Sequence, residues 1–429
     1  MKRRVVITGV GAVSPLGLSV RETWEHLLAG HSGIDKITLF DARDFPTQIA
    51  GEVRGFNFGS WAERDPALKH ANRSTFFALQ AAEEAFKDAH LKIFNLDAER
   101  FGIYFGAGDS GVDFEPFVAT MAEAMGANGG SLDKGVYLES SVRHMHGLRE
   151  LESQPFMTVN HLARYFDIRG PVSNCLTACA ASSQAIGEAF EAIRAGYADI
   201  VMSGGSHSMI YPLSIAGFSL LTALSTRNEA PQKSSRPFDK NRDGFVLSEG
   251  AGVVILETLE HALKRNAKIY GEIIGYGSTS DAYRLTDMDP EGVGASRAVE
   301  VALEKGGLKP KNVDYINAHG TSTAVNDSIE TMVIKNVFGA HAYRVPISSI
   351  KSMLGHMIAA AGVVEAIACV LAMRDKKIPP TINYDEPDPQ CDLDYVPNRF
   401  READVNVAIS NSFGFGGQNI CLAFRKYAA

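Results

Sequence analysis

Hydrophobic positions follow two patterns along this chain, continuous short runs and a spacing of three or four residues, and the two patterns alternate. Short uninterrupted apolar runs predict strands at residues 5–9, 102–105, 200–203 and 252–257. Apolar residues three or four positions apart predict helices at residues 20–29, 74–89, 182–195 and 259–266. Strands that alternate with helices are typical of α/β layering.

The same alternation begins again after residue 266. Strands are predicted at residues 269–276, 314–317, 405–410 and 420–425, and helices at 294–305 and 359–373, whereas the Gly-rich residues 126–134 predict a surface loop. We therefore predict two similar halves, residues 1–266 and 267–429, that arose from a duplication. Their sequences are too different for periodicity alone to show a repeat.

Composition excludes several classes of protein. The 429 residues are 45% hydrophobic and carry a formal net charge of −8, so no overall basic field favours nucleic acid or an anionic membrane. Gly9, Gly11 and Pro15 interrupt the first apolar run, which favours a strand over a signal peptide, and no apolar stretch is long enough to span a bilayer. Five cysteines without CxxC spacing predict neither disulfides nor a zinc site, as in a reducing cytoplasm.

One cysteine stands at the start of a predicted helix. Cys179 could attack as a thiolate, because the free N–H groups of a helix N-terminus lower the pKa of a thiol and can hold an oxyanion. A buried structural cysteine is nevertheless the commoner case. Cys175 is a rival nucleophile, but it lies in the strand-like residues 172–176, where a structural role suits it better.

Two glycine-flanked histidines fall at the ends of predicted elements, where functional sites form. His319 follows a strand and opens a loop of hydroxyl residues, and His356 precedes a helix. With Cys179 they indicate acyl-thioester chemistry. His144 and His146 could be read as a metal pair, but they lack a clear third ligand.

These motifs together resemble the β-ketoacyl-acyl carrier protein synthases, most closely the type II elongating enzymes of the thiolase-like superfamily. The resemblance covers nearly the whole chain, and motifs in this number and order are highly specific. The matching segments are Thr177-Ala178-Cys179, Asn317-Ala318-His319-Gly320-Thr321-Ser322-Thr323, Lys351-Ser352 with Gly355-His356, and Asn411-Ser412-Phe413-Gly414-Phe415-Gly416-Gly417, supported by residues 224–228, 235–239, 242–246 and 391–394.

The resemblance implies a layered α-β-α-β-α fold of two similar halves and a decarboxylative Claisen condensation. By that resemblance Cys179 takes the acyl group from a carrier-protein thioester. His319 and His356 promote the decarboxylation of malonyl-acyl carrier protein and stabilise the enolate. Lys351 orients the site and pairs with Glu365.

The remaining implied roles concern the oxyanion hole and the entry of substrate. The backbone N–H groups of Cys179 and Phe415 would form the oxyanion hole, and Phe415 would gate the loop that contains Gly414 and Gly416, with Phe218 packed beside it. Thr321 and Thr323 match residues that hydrogen-bond the phosphopantetheine arm of the carrier. No metal or redox cofactor is expected, because loss of carbon dioxide drives the reaction.

Two departures from the family pattern keep alternatives open. Between residues 129 and 156 the chain is longer than the family pattern by roughly a dozen residues. Asp109 replaces an apolar gate residue that faces the acyl chain, where a carboxylate would be costly to bury. A catalytic ketosynthase subunit of a type II polyketide system, paired with a chain-length factor, is therefore the alternative to a fatty-acid enzyme.

Other readings fit the residues less well. A degradative thiolase would use a second cysteine, and a non-catalytic subunit would have lost Cys179. The expected partners are an acyl carrier protein and either a second copy or a chain-length-factor-like subunit. Lys69 and Arg73 are candidates for docking an acidic carrier, although solvated charges before a helix are equally common.

Overall fold

The computed structural model describes residues 3–108, 111, 113–126 and 130–428. The strands of the first half are β1 (Val5–Val13), β2 (Asp35–Lys36), β3 (Ile49–Ala50), β4 (Phe101–Ala107), β5 (Val172–Cys175), β6 (Ile200–His207) and β7 (Gly250–Thr258). Its helices are α1 (Val20–Ala29), α2 (Phe58–Arg64), α3 (Arg73–Asp88), α4 (Phe114–Met125), α5 (Lys134–His144), α6 (Gly147–Glu152), α7 (Phe156–Tyr165), α8 (Ala181–Ala195), α9 (Pro212–Leu220) and α10 (Leu259–Lys264).

The second half repeats the alternation. Its strands are β8 (Gly271–Ser280), β9 (Tyr315–Asn317), β10 (Ile347–Ser348), β11 (Lys377–Ile378), β12 (Arg401–Glu402), β13 (Val407–Gly414) and β14 (Gln418–Arg425). Its helices are α11 (Val293–Gly306), α12 (Ala324–Phe338), α13 (Lys351–Leu354) and α14 (Ala361–Asp375). Every strand and helix predicted above is present. The strand predicted at 405–410 runs on into the glycine-rich loop as β13.

Within the described residues, ten strands form one mixed sheet in the order β10-β9-β13-β14-β8-β1-β7-β6-β4-β5. When the five strands of each half are numbered along the chain, both halves have the order 3-2-4-5-1. In each half the fifth strand, β7 or β14, is antiparallel to both neighbours. The halves join where β1 pairs with β8. The predicted α/β fold of two similar halves is confirmed, while their division into domains at residue 266 stays a prediction.

Each half also packs its first strand against its first long helix in the same way. A Cβ atom at Gly9 or Gly11 of β1 would lie 2.2 or 1.9 Å from a carbonyl oxygen of α3. One at Gly275 or Gly277 of β8 would lie 2.0 or 1.8 Å from a carbonyl oxygen of α11. Because these distances are far below contact, glycine is required for the close approach of helix and strand.

The core is divided into layers. Helices α8 and α14 lie in the middle, in contact with each other and with strands of both halves of the sheet. On the outer faces, one apolar cluster centres on α3 and a second on α11 and α12. Among the described residues, none of the helices has both the length and the hydrophobicity needed to cross a bilayer.

Candidate active site

The nucleophile candidate lies in a tight turn at the entrance of α8. Residues Ala178–Ala180 form a single 3-10 turn, and Ala178 has a φ of 46°, in the left-handed region that favours glycine. Such a residue is held there by its surroundings, and strained backbone of this kind clusters at functional sites. Cys179 is 6% exposed.

The prediction of a low thiol pKa is wrong for this structure. Burial raises the pKa of Cys179 to about 11, and the backbone N–H of Phe415 and the charge of Lys351 lower it only in part. The expected interactions at the helix entrance are therefore present, but desolvation of the thiolate outweighs them. The resting residue is a thiol at neutral pH.

The second histidine has its tautomer set by the backbone. The N–H of Ile358 donates to Nδ1 of His356 at 3.3 Å, so Nδ1 is the acceptor and Nε2 carries the proton. Ile358 has a φ of 45°, unusual for a β-branched residue, and this conformation turns its N–H back towards the imidazole. His356 is 2% exposed and its ring packs edge-on against Phe245.

The first histidine is oriented by a buried lysine. Nζ of Lys351 lies 3.3 Å from Nδ1 of His319 and donates to the carbonyl oxygen of the same residue at 2.7 Å. It also donates to Glu365, as the family resemblance implied, and this buried ion pair places a cation beside His319. An ammonium group is a donor only, so Nδ1 of His319 accepts and its Nε2 carries the proton.

The thiol and the two imidazoles come together. One ligand atom from each of Cys179, His319 and His356 lies within 4.8 Å of the others, the single group close enough to hold a metal ion in the part of the chain that the structure describes. Burial, followed by the charge of Lys351, holds the pKa of both histidines well below the usual range. Both rings are therefore neutral at physiological pH.

The glycine-rich loop after β13 reaches Cys179. A Cβ atom at Gly414 would lie 3.4 Å from the backbone nitrogen of Cys179 and 3.2 Å from the carbonyl oxygen of Thr177, so a side chain there would crowd the nucleophile turn. The backbone N–H of Phe415 points at the Cys179 thiol. Gly416 has a φ of 82° and lets the chain turn back after Phe415.

A cavity of about 360 Å³ leads to these groups. Among its lining residues are the predicted site residues Cys179, Phe218, His319, Thr321, Thr323, His356, Gly414 and Phe415. The hydroxyl oxygens of Thr321 and Thr323 lie 3.0 Å apart, and the ring of Phe218 packs edge-on against Phe245. The lining also includes Leu221, Asp287 and Val325.

Two charged side chains to which the sequence assigned no role hold the site in place. The buried carboxylate of Glu330 accepts from the N–H groups of His319 and Gly320 at 2.8 and 2.7 Å, which fixes the backbone of the histidine loop. Arg242 donates to the carbonyl oxygens of Thr323 and Ala324 at the start of α12. Both side chains are buried, but no local pattern in the sequence indicated their burial.

Other sequence predictions fall outside the site. Asp109 lies outside the described residues. Cys175 is buried in β5, away from the cavity lining, and burial raises its pKa to about 11. Arg73 pairs with the fully buried Glu249, which removes it as a free docking cation, whereas Lys69 is exposed.

The family follows from comparison of the whole chain. Residues 2–262 match the model described as Beta-ketoacyl synthase, N-terminal domain, and residues 270–385 match Beta-ketoacyl synthase, C-terminal domain. The chain belongs to the β-ketoacyl synthase family. It is an acyl-transferring condensing enzyme, and it is 45% identical over 99% of both chains to 3-oxoacyl-[acyl-carrier-protein] synthase 2 of Synechocystis sp..

Solved structures of similar shape are also ketosynthases. One, described as AntDE:AntF, type II PKS acyl-carrier protein in complex with its ketosynthase bound to the hexaketide, has a TM-score of 0.88 and 36% identity, with complete coverage of both chains. The ishigamide ketosynthase/chain length factor has a TM-score of 0.88 and 35% identity, again over both complete chains. The thiolase-like fold expected from the resemblance is confirmed.

Proposed function

We propose that this protein lengthens an acyl chain by two carbons through decarboxylative condensation with malonyl-acyl carrier protein. The observation that carries the proposal is the convergence of one thiol and two neutral imidazoles at the end of a 360 Å³ cavity. Curated relatives named 3-oxoacyl-[acyl-carrier-protein] synthase 2 support the elongating reaction.

Acyl loading comes first. The sulfur of Cys179 attacks the carbonyl carbon of an acyl-carrier thioester, the bond from that carbon to the pantetheine sulfur breaks, and the departing thiol takes up the proton that Cys179 loses. The oxyanion of the tetrahedral intermediate accepts from the backbone N–H groups of Cys179 and Phe415. These donors, with the charge of Lys351, also reduce the cost of forming the thiolate in a buried site.

Condensation follows on the acylated enzyme. Malonyl thioester loses carbon dioxide, and the enolate oxygen accepts from the Nε2–H groups of His319 and His356. Neutral donors stabilise this negative charge without competing for the electrophile. The enolate carbon then attacks the acyl carbonyl, the carbon–sulfur bond breaks, and the Cys179 thiolate takes a proton from solvent.

The remaining residues position the reactants. The Lys351–Glu365 pair holds His319, and Thr321 and Thr323 offer hydroxyl groups along the path of the phosphopantetheine arm. We propose that no metal or redox cofactor takes part, because loss of carbon dioxide supplies the driving force. We also propose a cytoplasmic location, which agrees with five free buried cysteines.

A catalytic subunit of a type II polyketide system is the second candidate. Ketosynthases solved with an acyl-carrier protein or a chain length factor support it, because they match this chain over its complete length. In either case we propose a dimer, formed with a second copy or with a chain-length-factor-like subunit. Helices α4 and α5 support this, since their apolar residues Val118, Leu138 and Val142 are 44, 66 and 85% exposed.

Two half-reactions measured separately test the mechanism. Mass spectrometry after incubation with acyl-carrier proteins of graded chain length should find the adduct on Cys179. Cys179→Ala should lose acyl loading while malonyl decarboxylation persists, and His356→Ala should load normally but decarboxylate about 100- to 10,000-fold more slowly.

The matched control is Cys175→Ala, which should load and condense like the native protein. An adduct on Cys175, or condensation at the native rate in Cys179→Ala, would overturn the assignment. The preferred chain length and its oxygen content in the same experiment separate the fatty-acid from the polyketide reading.

A further inference from the structure

We propose that the active site keeps divalent transition-metal ions out, because neither of its histidines has a lone pair free to bind one. The groups responsible are the ammonium group of Lys351 and the backbone N–H of Ile358. The inference concerns the resting site alone, so it depends neither on the acyl substrate nor on the proposed function.

By spacing alone, the thiol and the two imidazoles form a metal site. One ligand atom each from Cys179, His319 and His356 lies within 4.8 Å of the others, and all three residues are buried. Thiolate and imidazole are the ligands that Zn²⁺ and Co²⁺ prefer in proteins. Sites with such ligands commonly bind Zn²⁺ with submicromolar dissociation constants.

The hydrogen bond at His356 opposes coordination there. A neutral imidazole binds a metal through the nitrogen that carries no proton. That nitrogen is Nδ1, and its lone pair already accepts the N–H of Ile358 at 3.3 Å. The other nitrogen, Nε2, carries the proton, and it is buried without a hydrogen-bond partner among the described residues. A metal at His356 would therefore meet either an occupied lone pair or an N–H group.

His319 is blocked in the same way by a charged donor. The ammonium group of Lys351 has three N–H donors and three acceptors: Nδ1 of His319 at 3.3 Å, the carbonyl oxygen of His319 at 2.7 Å, and the carboxylate of Glu365. Lys351 is 2% exposed, so water screens little of its repulsion of a second cation. The nitrogen of His319 that could bind a metal is thus held against a positive charge.

A metal has to break a hydrogen bond at each histidine before it can bind. Coordination through Nε2 would release the Cys179 proton to solvent and move each imidazole proton from Nε2 to Nδ1, where it faces another donor. Leaving buried donors without acceptors is unfavourable. The site therefore combines the spacing of a metal centre with hydrogen bonds that reject the metal.

A titration with Co²⁺ tests this, because a cysteine ligand produces a thiolate-to-cobalt charge-transfer band in the near ultraviolet. The native protein should show this band only at millimolar Co²⁺. Lys351→Met/Glu365→Gln removes the donor at His319 but keeps the net charge of the site. It should bind Co²⁺ roughly 10- to 100-fold more tightly than the native protein, a partial gain because Ile358 still opposes coordination at His356.

Two controls identify the source of the band. Adding Cys179→Ser to the double variant should abolish it, since the other four cysteines are buried and do not line the cavity. Lys268→Met/Asp88→Asn removes a lysine–carboxylate ion pair elsewhere in the molecule and should bind Co²⁺ as the native protein does.

Nitrogen-15 spectra of the native protein labelled at histidine test the tautomers without any change at Lys351. Nδ1 of His319 and of His356 should resonate as unprotonated nitrogens, and Nε2 of each as a protonated one. The signals are assigned by their loss in His319→Ala and His356→Ala.

Three results would overturn the inference. They are a proton on Nδ1 of either histidine, a Cys179-dependent cobalt band in the native protein at micromolar Co²⁺, and a Lys351→Met/Glu365→Gln protein that binds Co²⁺ no more tightly than the native one. None of them bears on acyl loading, which mass spectrometry measures separately, so the metal inference and the proposed function fail independently.

Discussion

The two halves of the molecule build the entrances of their central helices alike, yet use them differently. Helices α8 and α14 contain 15 residues each, and each follows a 3-10 turn whose first residue has positive φ, Ala178 at 46° and Ile358 at 45°. The second residue of the turn is Cys179 in one half and Ala359 in the other. The repeated backbone therefore offers two equivalent positions, and only one carries a thiol.

The difference lies in the side chains that the same turn presents in each half. In the first half, the turn brings the Cys179 thiol to the cavity and to the N–H of Phe415. In the second half, the same turn brings the N–H of Ile358 to Nδ1 of His356 and fixes a hydrogen-bond donor. Under the proposed function, one backbone geometry thus serves covalent chemistry in one place and charge stabilisation in the other.

Moving the thiol from one turn to the other should have the largest effect on the rate of condensation. Cys179→Ala combined with Ala359→Cys is expected to condense at least about 1,000-fold more slowly than the native protein, no better than Cys179→Ala alone. Ala359 is fully buried and does not line the cavity, so a thiol there meets no thioester. Measured condensation that recovers in the double variant would mean the two entrances are chemically equivalent.

Glycine at the two strained positions should separate backbone strain from packing. Ala178→Gly relieves a positive φ and should raise the free energy of unfolding slightly, by up to about 1 kcal/mol. Ile358→Gly relieves the same strain but removes a side chain that is 7% exposed, so it should lower that free energy by about 2 kcal/mol or more.

Urea unfolding at one pH measures both values. The control is Ala180→Gly, where φ is −96° and glycine should cost about 0.5–1 kcal/mol. If Ala178→Gly destabilised as much as this control, the positive φ would carry no strain.

A smaller effect is expected on the pH dependence of the free energy of unfolding, from one buried carboxyl group in each half. Burial raises the pKa of Glu84 in α3 and of Glu330 in α12 to about 7, and backbone N–H donors lower it only in part. The folded state then holds protons that the unfolded state releases above about 4.5. The stabilisation that these two carboxyl groups contribute is fully present below a pH of about 4.5. It is lost as the pH rises through about 7.

Unfolding measured between pH 5 and 8 should therefore show a free energy that falls with pH through these two groups. Glu330→Gln should make this slope shallower, and Glu84→Gln should do so by a similar amount. A steeper slope in either variant would mean that the pKa of the replaced carboxyl is depressed in the native protein.

Much of the fold could be predicted because apolar spacing reports directly on burial. The predicted strands and helices were found. Gly9 and Gly11, which argued against a signal peptide, allow α3 to pack closely against β1. The pKa of Cys179 could not be predicted, since a helix entrance stabilises a thiolate only in competition with desolvation. Burial depends on neighbours such as Ile358 and Phe415, which are distant in sequence.

The sequence by itself determined the alternation of elements, the order of the motifs and, through the family resemblance, the roles expected of Cys179, His319 and His356. Local spacing and residue chemistry carry that information. Only the tertiary structure decided which histidine nitrogens donate, that Glu330 holds the His319 loop, and that Arg73 forms an ion pair with Glu249. These depend on distances between residues far apart in the chain, which no local pattern encodes.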